Sequence, residues 1–167
     1  GILLFGTNAC GKSTLMKAIG LSLIMAQSGM FVPAFDFHYS PYKNFFTRIL
    51  GNDNIYRGLS SFAVEMTELR SIFKRIDNHA LVLGDEVCHG TESRSALALV
   101  TSAIEGLCEK KSNFIFATHL HELNNMPELE KYNQVQKYHL KVVRNDKNEI
   151  EYNRKLTPGS GPPIYGL

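Results

Sequence analysis

The segment Gly6-Thr7-Asn8-Ala9-Cys10-Gly11-Lys12-Ser13 matches the pattern G-x-x-x-x-G-K-[ST]. Its glycines let the backbone turn tightly, so that successive N–H groups and the positive end of a following helix face one point. That point suits a phosphate. The Lys12 ammonium would reach the β and γ phosphates of a nucleoside triphosphate, and the Ser13 hydroxyl would hold a magnesium ion. The plain alternative is a glycine-rich turn that binds nothing. The flanking residues weigh against it: an apolar run from Ile2 to Phe5 stops at Gly6, and Leu15, Ile19, Leu23 and Ala26 then recur at helical spacing. Strand, loop and helix are what phosphate binding of this kind requires.

Further along, Leu81-Val82-Leu83-Gly84-Asp85-Glu86 is an apolar strand that ends in two carboxylates, as in nucleotide hydrolases where such a strand lies beside the phosphate loop. Asp85 would hold the magnesium shell, usually through water, and Glu86 would orient or deprotonate the water that attacks the γ phosphate. Two solvated acids at a strand end are the competing reading. Phe114-Ile115-Phe116-Ala117-Thr118-His119 forms another apolar run ending in polar residues, and His119 could sense the γ phosphate from the side. His119, His121 and Glu122 lie close enough in sequence to suggest a metal site, but no Cys or His elsewhere completes one persuasively. His38, His79 and His139 read as surface or packed histidines.

These groups need a framework to position them. Ala80 to Leu83 and Phe114 to Ala117 are short continuous apolar runs, as expected of parallel strands buried on both faces. Leu97, Val100, Ile104 and Leu107 mark a helix between them, and Phe62, Met66, Leu69, Phe73 and Ile76 form an apolar stripe on another, which Ser60 or Ser61 could cap. Residues 29 to 53 are rich in aromatics, Gly, Pro and Asn, and suggest irregular chain around one strand near Phe45 to Ile49. Gln136 to Val143 and Glu149 to Leu156 flank Asn145-Asp146-Lys147-Asn148 as a hairpin. The alternation predicts a layered α/β domain with a mostly parallel sheet flanked by helices.

At 167 residues, with 44% hydrophobic and 20% charged, the chain can bury one core, and residues 1–167 are expected to form a single domain. A net charge of +2 does not call for nucleic acid or an anionic membrane as a direct partner. The mainly apolar stretch from Leu15 to Met30 is interrupted by Lys17, Ser22, Gln27 and glycines, so no membrane span is expected. The three cysteines, Cys10, Cys88 and Cys108, lack C-x-x-C spacing and suggest neither a disulfide scaffold nor a zinc site. A reducing intracellular compartment, cytoplasm or nucleus with the mitochondrion also open, is the simplest expectation. The start at Gly1 and the stop at Leu167 suggest a piece of a longer protein.

The phosphate-loop pattern, the stretch Gly58-Leu59-Ser60-Ser61-Phe62-Ala63-Val64-Glu65-Met66, the run Asp85-Glu86-Val87-Cys88-His89-Gly90-Thr91 and Ala117-Thr118-His119-Leu120-His121-Glu122-Leu123 together resemble the ATPase domain of MutS-family proteins, in the same order. The closing Tyr165-Gly166-Leu167 extends the resemblance over nearly the whole chain. It implies a P-loop NTPase fold of ABC-ATPase type, cut from a protein with DNA-binding and clamp domains before it and a C-terminal end after it. It further implies ATP hydrolysis with Mg2+, a second MutS-type subunit in a homo- or heterodimer, and coupling of ATP turnover to mismatched DNA through domains outside this chain. On that pattern Gly6, Thr7, Asn8, Ala9, Cys10, Gly11, Lys12, Ser13 and Thr14 hold the nucleotide, and Ser13 and Asp85 hold magnesium. Lys12, Glu86 and His119 act on the γ phosphate, while Ser60, with Gly58 as its hinge, reaches the partner's nucleotide. Arg154 covers one face of the adenine.

Some positions depart from the common family pattern. Thr7 replaces proline, Ala9 and Cys10 replace methionine and glycine, Ser61 replaces threonine, and Leu59 and His89 each replace an arginine. The Thr7-Asn8-Ala9 opening and the ending from Gly159 to Leu167 look closer to divergent homologues of large DNA viruses and some mitochondria. Alternatives within reach are another ABC-type ATPase of DNA maintenance or recombination, which lacks its L-S-G-G-Q block here, a P-loop kinase, and an assembly module with little turnover. Cys10 inside the loop predicts that thiol alkylation blocks nucleotide binding and that bound Mg-ATP protects.

Overall fold

The structure is a computed structural model and describes residues 1–7, 9–49, 61–88, 92–144 and 150–161. In chain order it holds β1 (Ile2–Phe5), α1 (Lys12–Gln27), β2 (Asn44–Arg48), α2 (Ser61–Phe73), β3 (Ala80–Asp85), α3 (Ser93–Glu109), β4 (Asn113–Thr118), a 3-10 turn (His121–Asn125), the short α4 (Pro127–Glu130), β5 (Gln136–Arg144) and β6 (Ile150–Pro158). The strands make one six-stranded sheet in the order β2-β3-β4-β1-β5-β6. Every pairing is parallel except the β5–β6 hairpin.

Alternation along the strands sorts the side chains into two cores. Leu3, Phe5, Val82, Phe114 and Phe116 join Leu69, Ile72, Val100, Ile104 and Leu107 from α2 and α3 on one face. Leu4, Leu81, Leu83, Ile115 and Ala117 join Met16 and Leu23 of α1 on the other. With helices over both faces, β3 is buried along its whole length, as continuous apolar runs require. The expected parallel strands, the two inter-strand helices and the hairpin are therefore present with small shifts at their ends.

Two local features differ from the sequence reading, and a third adds to it. The α1 face packed deepest runs through Met16, Gly20 and Leu23, with Leu15 and Ile19 only partly buried beside it. Gly20 explains the offset: a β-carbon there would lie 2.9 Å from Leu83 Cδ1, so the missing side chain lets α1 approach the sheet. Ile76, counted as part of the α2 stripe, lies beyond the helix end yet remains buried. The polar stretch after β4 forms the 3-10 turn and α4, anchored by buried Leu123 and Leu129. Among the described residues, no helix is long and apolar enough to cross a membrane.

Gly84 sits where β3 meets its neighbour most tightly. A β-carbon there would lie 2.7 Å from Val87 Cγ2 and 2.8 Å from Phe116 Cδ1. Gly84→Ala should therefore lower unfolding free energy in urea by about 1–3 kcal/mol through overpacking. An unchanged midpoint would mean that Val87 and Phe116 move aside freely.

Candidate functional site

The buried β1 ends at Phe5, and the chain then reverses through positive-φ residues: Gly6 at 150°, Ala9 at 63° and Gly11 at 105°. A β-carbon on Gly6 would lie 2.8 Å from Cys10 Sγ, so glycine is what lets the loop fold over the cysteine. Lys12 opens α1 and is buried, with Nζ donating to the carbonyls of Gly6 at 2.8 Å and Thr7 at 2.9 Å. The ammonium thus closes the loop on itself. The helix start has neither a side-chain cap at Gly11 nor an acidic residue in its first turn. Its first N–H groups and the positive end of the helix dipole suit an anion.

The parity of β3 directs Asp85 to the same face as Leu81 and Leu83, the face covered by α1. Asp85 is buried, and with Glu86 it borders an open cleft of about 380 Å3 shared with Ala9, Gly11, Lys12, Ser13, Thr14, Lys17 and Ile49. Glu86 takes a left-handed φ of 48°, and its N–H donates to Ala117 O of β4 at 2.9 Å. His119, just past β4, brings Nδ1 to 4.0 Å from Glu86 Oε1. The ring of His121 lies 5.6 Å from that of Phe5. Burial holds its pKa below the ordinary imidazole value; Glu122 opposes this, and His119 and Lys12 reinforce it.

Most of the residues expected to act together do meet here. Ala9, Gly11, Lys12, Ser13, Thr14, Asp85 and Glu86 line one cleft. A hydroxyl and a buried carboxylate facing the same space, Ser13 and Asp85, are a donor set that fits a magnesium ion with retained waters. Gly6 and Cys10 stand behind the loop as its support, and His119 flanks Glu86 without lining the cleft. Arg154 does not line the cleft either. It sits on β6 with φ 57°, where the register with β5 slips between the Leu140–Leu156 and Val142–Tyr152 pairs. Among the described residues no three or more His, Cys, Asp or Glu side chains form a metal-binding group, so His119, His121 and Glu122 do not gather as one. Asn8, Gly58, Leu59, Ser60, His89, Gly90 and Thr91 lie outside the described residues.

Two residues of the cleft escaped the sequence reading. Lys17 lies four positions after Ser13, one helical turn along the same face, so its spacing was a usable signal. Ile49 follows β2, and only the strand order places it near.

The sequence model of the family described as MutS domain V matches residues 2–167. The chain belongs to the MutS family. It is 50% identical over its full length to a DNA mismatch repair protein mutS homologue of Acanthamoeba polyphaga mimivirus, of which it covers 15%. It is 43% identical, again over its full length, to the mitochondrial DNA mismatch repair protein mutS homologue of Sarcophyton glaucum, covering 17% of that protein. It is 40% identical over 99% of its length to the DNA mismatch repair protein MutS of a Clostridium botulinum strain, covering 18%. The chain thus spans less than a fifth of these MutS relatives, and viral and mitochondrial members stand among them as the loop and ending suggested.

The structure also explains one departure from the common MutS pattern. Cys10, in place of glycine, is not among the positive-φ residues; Ala9 takes the left-handed position instead, so a β-carbon is tolerated at 10. The Cys10 thiol packs into the core with Leu4, Met16 and Leu140. That placement corrects the expected alkylation: a reagent reaches Cys10 only if the loop opens. Cys88 and Cys108 are buried too, and burial pushes Cys108 up and Cys88 up to about 11, Glu65 adding to the latter and Arg48 opposing. At pH 8 a disulfide reagent should thus label the native chain far more slowly than the urea-unfolded chain, which should yield all three thiols. Fast native labelling of Cys10 would reveal loop opening.

Proposed function

We propose that the chain is the ATP-binding and hydrolysing domain of a MutS-type DNA mismatch repair protein, a P-loop NTPase of the ABC type. The convergence of Lys12, Ser13, Asp85 and Glu86 on one cleft is the observation that carries this reading. The loop N–H groups and the α1 start would bind the phosphates, and Lys12 would turn its ammonium from the Gly6 and Thr7 carbonyls toward the γ phosphate. Ser13 and Asp85 would hold magnesium, which when bound supplies positive charge against the charge that builds on the transferring phosphoryl group. Glu86 would accept the proton of the attacking water, or orient that water in line. His119, beside Glu86, would report the γ phosphate to the partner subunit.

Dimerisation with a second MutS-type subunit would complete the site, Ser60 acting on the partner's nucleotide. Arg154 would cover the adenine; what supports this is that β5 continues past His139, the partner of the last β1 residue, so that the hairpin overhangs the loop end. Mismatched duplex would act through domains outside this chain, with ATP turnover converting recognition into a clamp. An assembly module with little turnover would have no use for a carboxylate in the place of Glu86.

Lys12→Ala should abolish measurable ATP binding. Glu86→Ala should keep binding and lower hydrolysis by about 100-fold or more, the range for losing a general base. Release of γ phosphate by the full-length protein that carries this domain, followed across protein concentration with and without mismatched duplex and with Ser60→Ala, checks this. Turnover indifferent to Glu86 would remove Glu86 as the group that directs the water, and turnover indifferent to Ser60 and DNA would leave only a generic nucleotide hydrolase.

A further inference from the structure

The turn after β3 carries more than Glu86. Cys88 also lies in the left-handed region, with φ 65°. Neither residue is glycine, and each such conformation runs against the backbone's preference for an L-residue. Something around the turn must hold it. At one side the Glu86 N–H is tied to Ala117 O, as described. At the other the buried Cys88 N–H donates to Glu65 Oε1 at 2.8 Å.

Glu65 comes from α2 and is only 5% exposed. It lies three residues after Phe62 and four before Leu69, in phase with the apolar stripe, where a leucine would pack without any desolvation cost. Its charge is answered by Arg48 at the end of β2, whose Nε lies 3.7 Å from Glu65 Oε1 and 3.1 Å from Glu68 Oε2. That nitrogen is buried, and no acceptor among the described residues meets it in hydrogen-bond alignment, so the contact is an ion pair rather than a fork of hydrogen bonds. In the sheet register Arg48 stands opposite Gly84, one residue before Asp85. A charged group in a stripe position, with its acceptor spent on the backbone of the Glu86 turn, is placed for geometry rather than for core stability.

We infer that Glu65 is the positioning residue for Glu86. Its carboxylate fixes the turn that aims Glu86 into the cleft, and it ties that turn to α2. The inference rests on the hydrolase reading above.

The test uses Glu65→Gln and Glu65→Ala in the full chain, with ATP affinity measured by a fluorescent analogue, hydrolysis followed against ATP concentration, and folding checked by circular dichroism. Removing the charge while keeping an acceptor oxygen, Glu65→Gln should lower kcat about threefold, and Glu65→Ala about tenfold or more, with KM and Kd within about twofold of wild type, because a charge-assisted bond is the stronger one. If Glu65 acts only through Glu86, adding Glu65→Gln to Glu86→Ala should cause no further loss, the signature of coupled residues. Should Glu65→Ala fail to fold, Glu65→Gln and this pair of backgrounds decide. Wild-type kcat in Glu65→Gln, equal losses in both backgrounds, or ATP affinity falling in step with turnover would each overturn the proposal. Undiminished hydrolysis by Glu86→Ala alone is a separate result: it removes the role proposed above for Glu86, and this inference with it.

Discussion

A strand covered on both faces can hold polar side chains only at its ends, because a charged group in its interior would meet no water and no partner. That constraint arranges this molecule. β3 is apolar until Asp85, β4 is apolar between Asn113 and Thr118 at its two ends, and β1 is apolar until Gly6. The register pairs Phe5 with Thr118 and Ala117 with Asp85, so the three strands finish along one edge of the sheet. β4 stands between the other two, which sets β1 and β3 two strand spacings apart, about 9.5 Å. The loop after β1 folds toward that gap, and the carboxylates after β3 face it. A cleft between non-adjacent strands is thus a product of strand order, and its lining residues hang from the ends of those strands.

What could be read from the residues follows from how far each signal reaches. The loop Gly6–Ser13 and the pair Asp85 and Glu86 are legible because their chemistry is written in contiguous residues beside an apolar run. The layered α/β architecture follows from the alternation of buried strands with helical stripes. The insertion of β4 between β1 and β3 is carried by no local pattern, and neither is the presence of Ile49 in the cleft. Glu65 was in plain view as an acid inside an apolar stripe, but its partner lies 23 residues away. The helical spacing of Leu15, Ile19 and Leu23 marks the side of α1 that packs on the core, whereas the room that Gly20 leaves for Leu83 is visible only in three dimensions.

Non-glycine residues with positive φ are unevenly spread. Ala9, Glu86 and Cys88 border or adjoin the cleft, while Lys111 and Arg154 lie elsewhere. Such conformations persist where surrounding contacts determine them, and around the cleft those contacts are the Lys12 ammonium, the Ala117 carbonyl and the Glu65 carboxylate. Each belongs to a different element, α1, β4 and α2. The geometry at the sheet edge is consequently a joint property of the helices on both faces, and a change on either face reaches it.

The buried Lys12 ammonium already has two carbonyl partners within its own loop. An incoming phosphate would therefore exchange hydrogen bonds with the protein rather than capture a solvated side chain, and the enthalpy gained at that nitrogen is a difference between two bound states. In return the loop would meet a phosphate with its closing contacts already made, so little conformational entropy would be lost on binding. Discrimination between a diphosphate and a triphosphate would then turn on whether the ligand has an oxygen placed well enough to win the ammonium from Gly6 and Thr7.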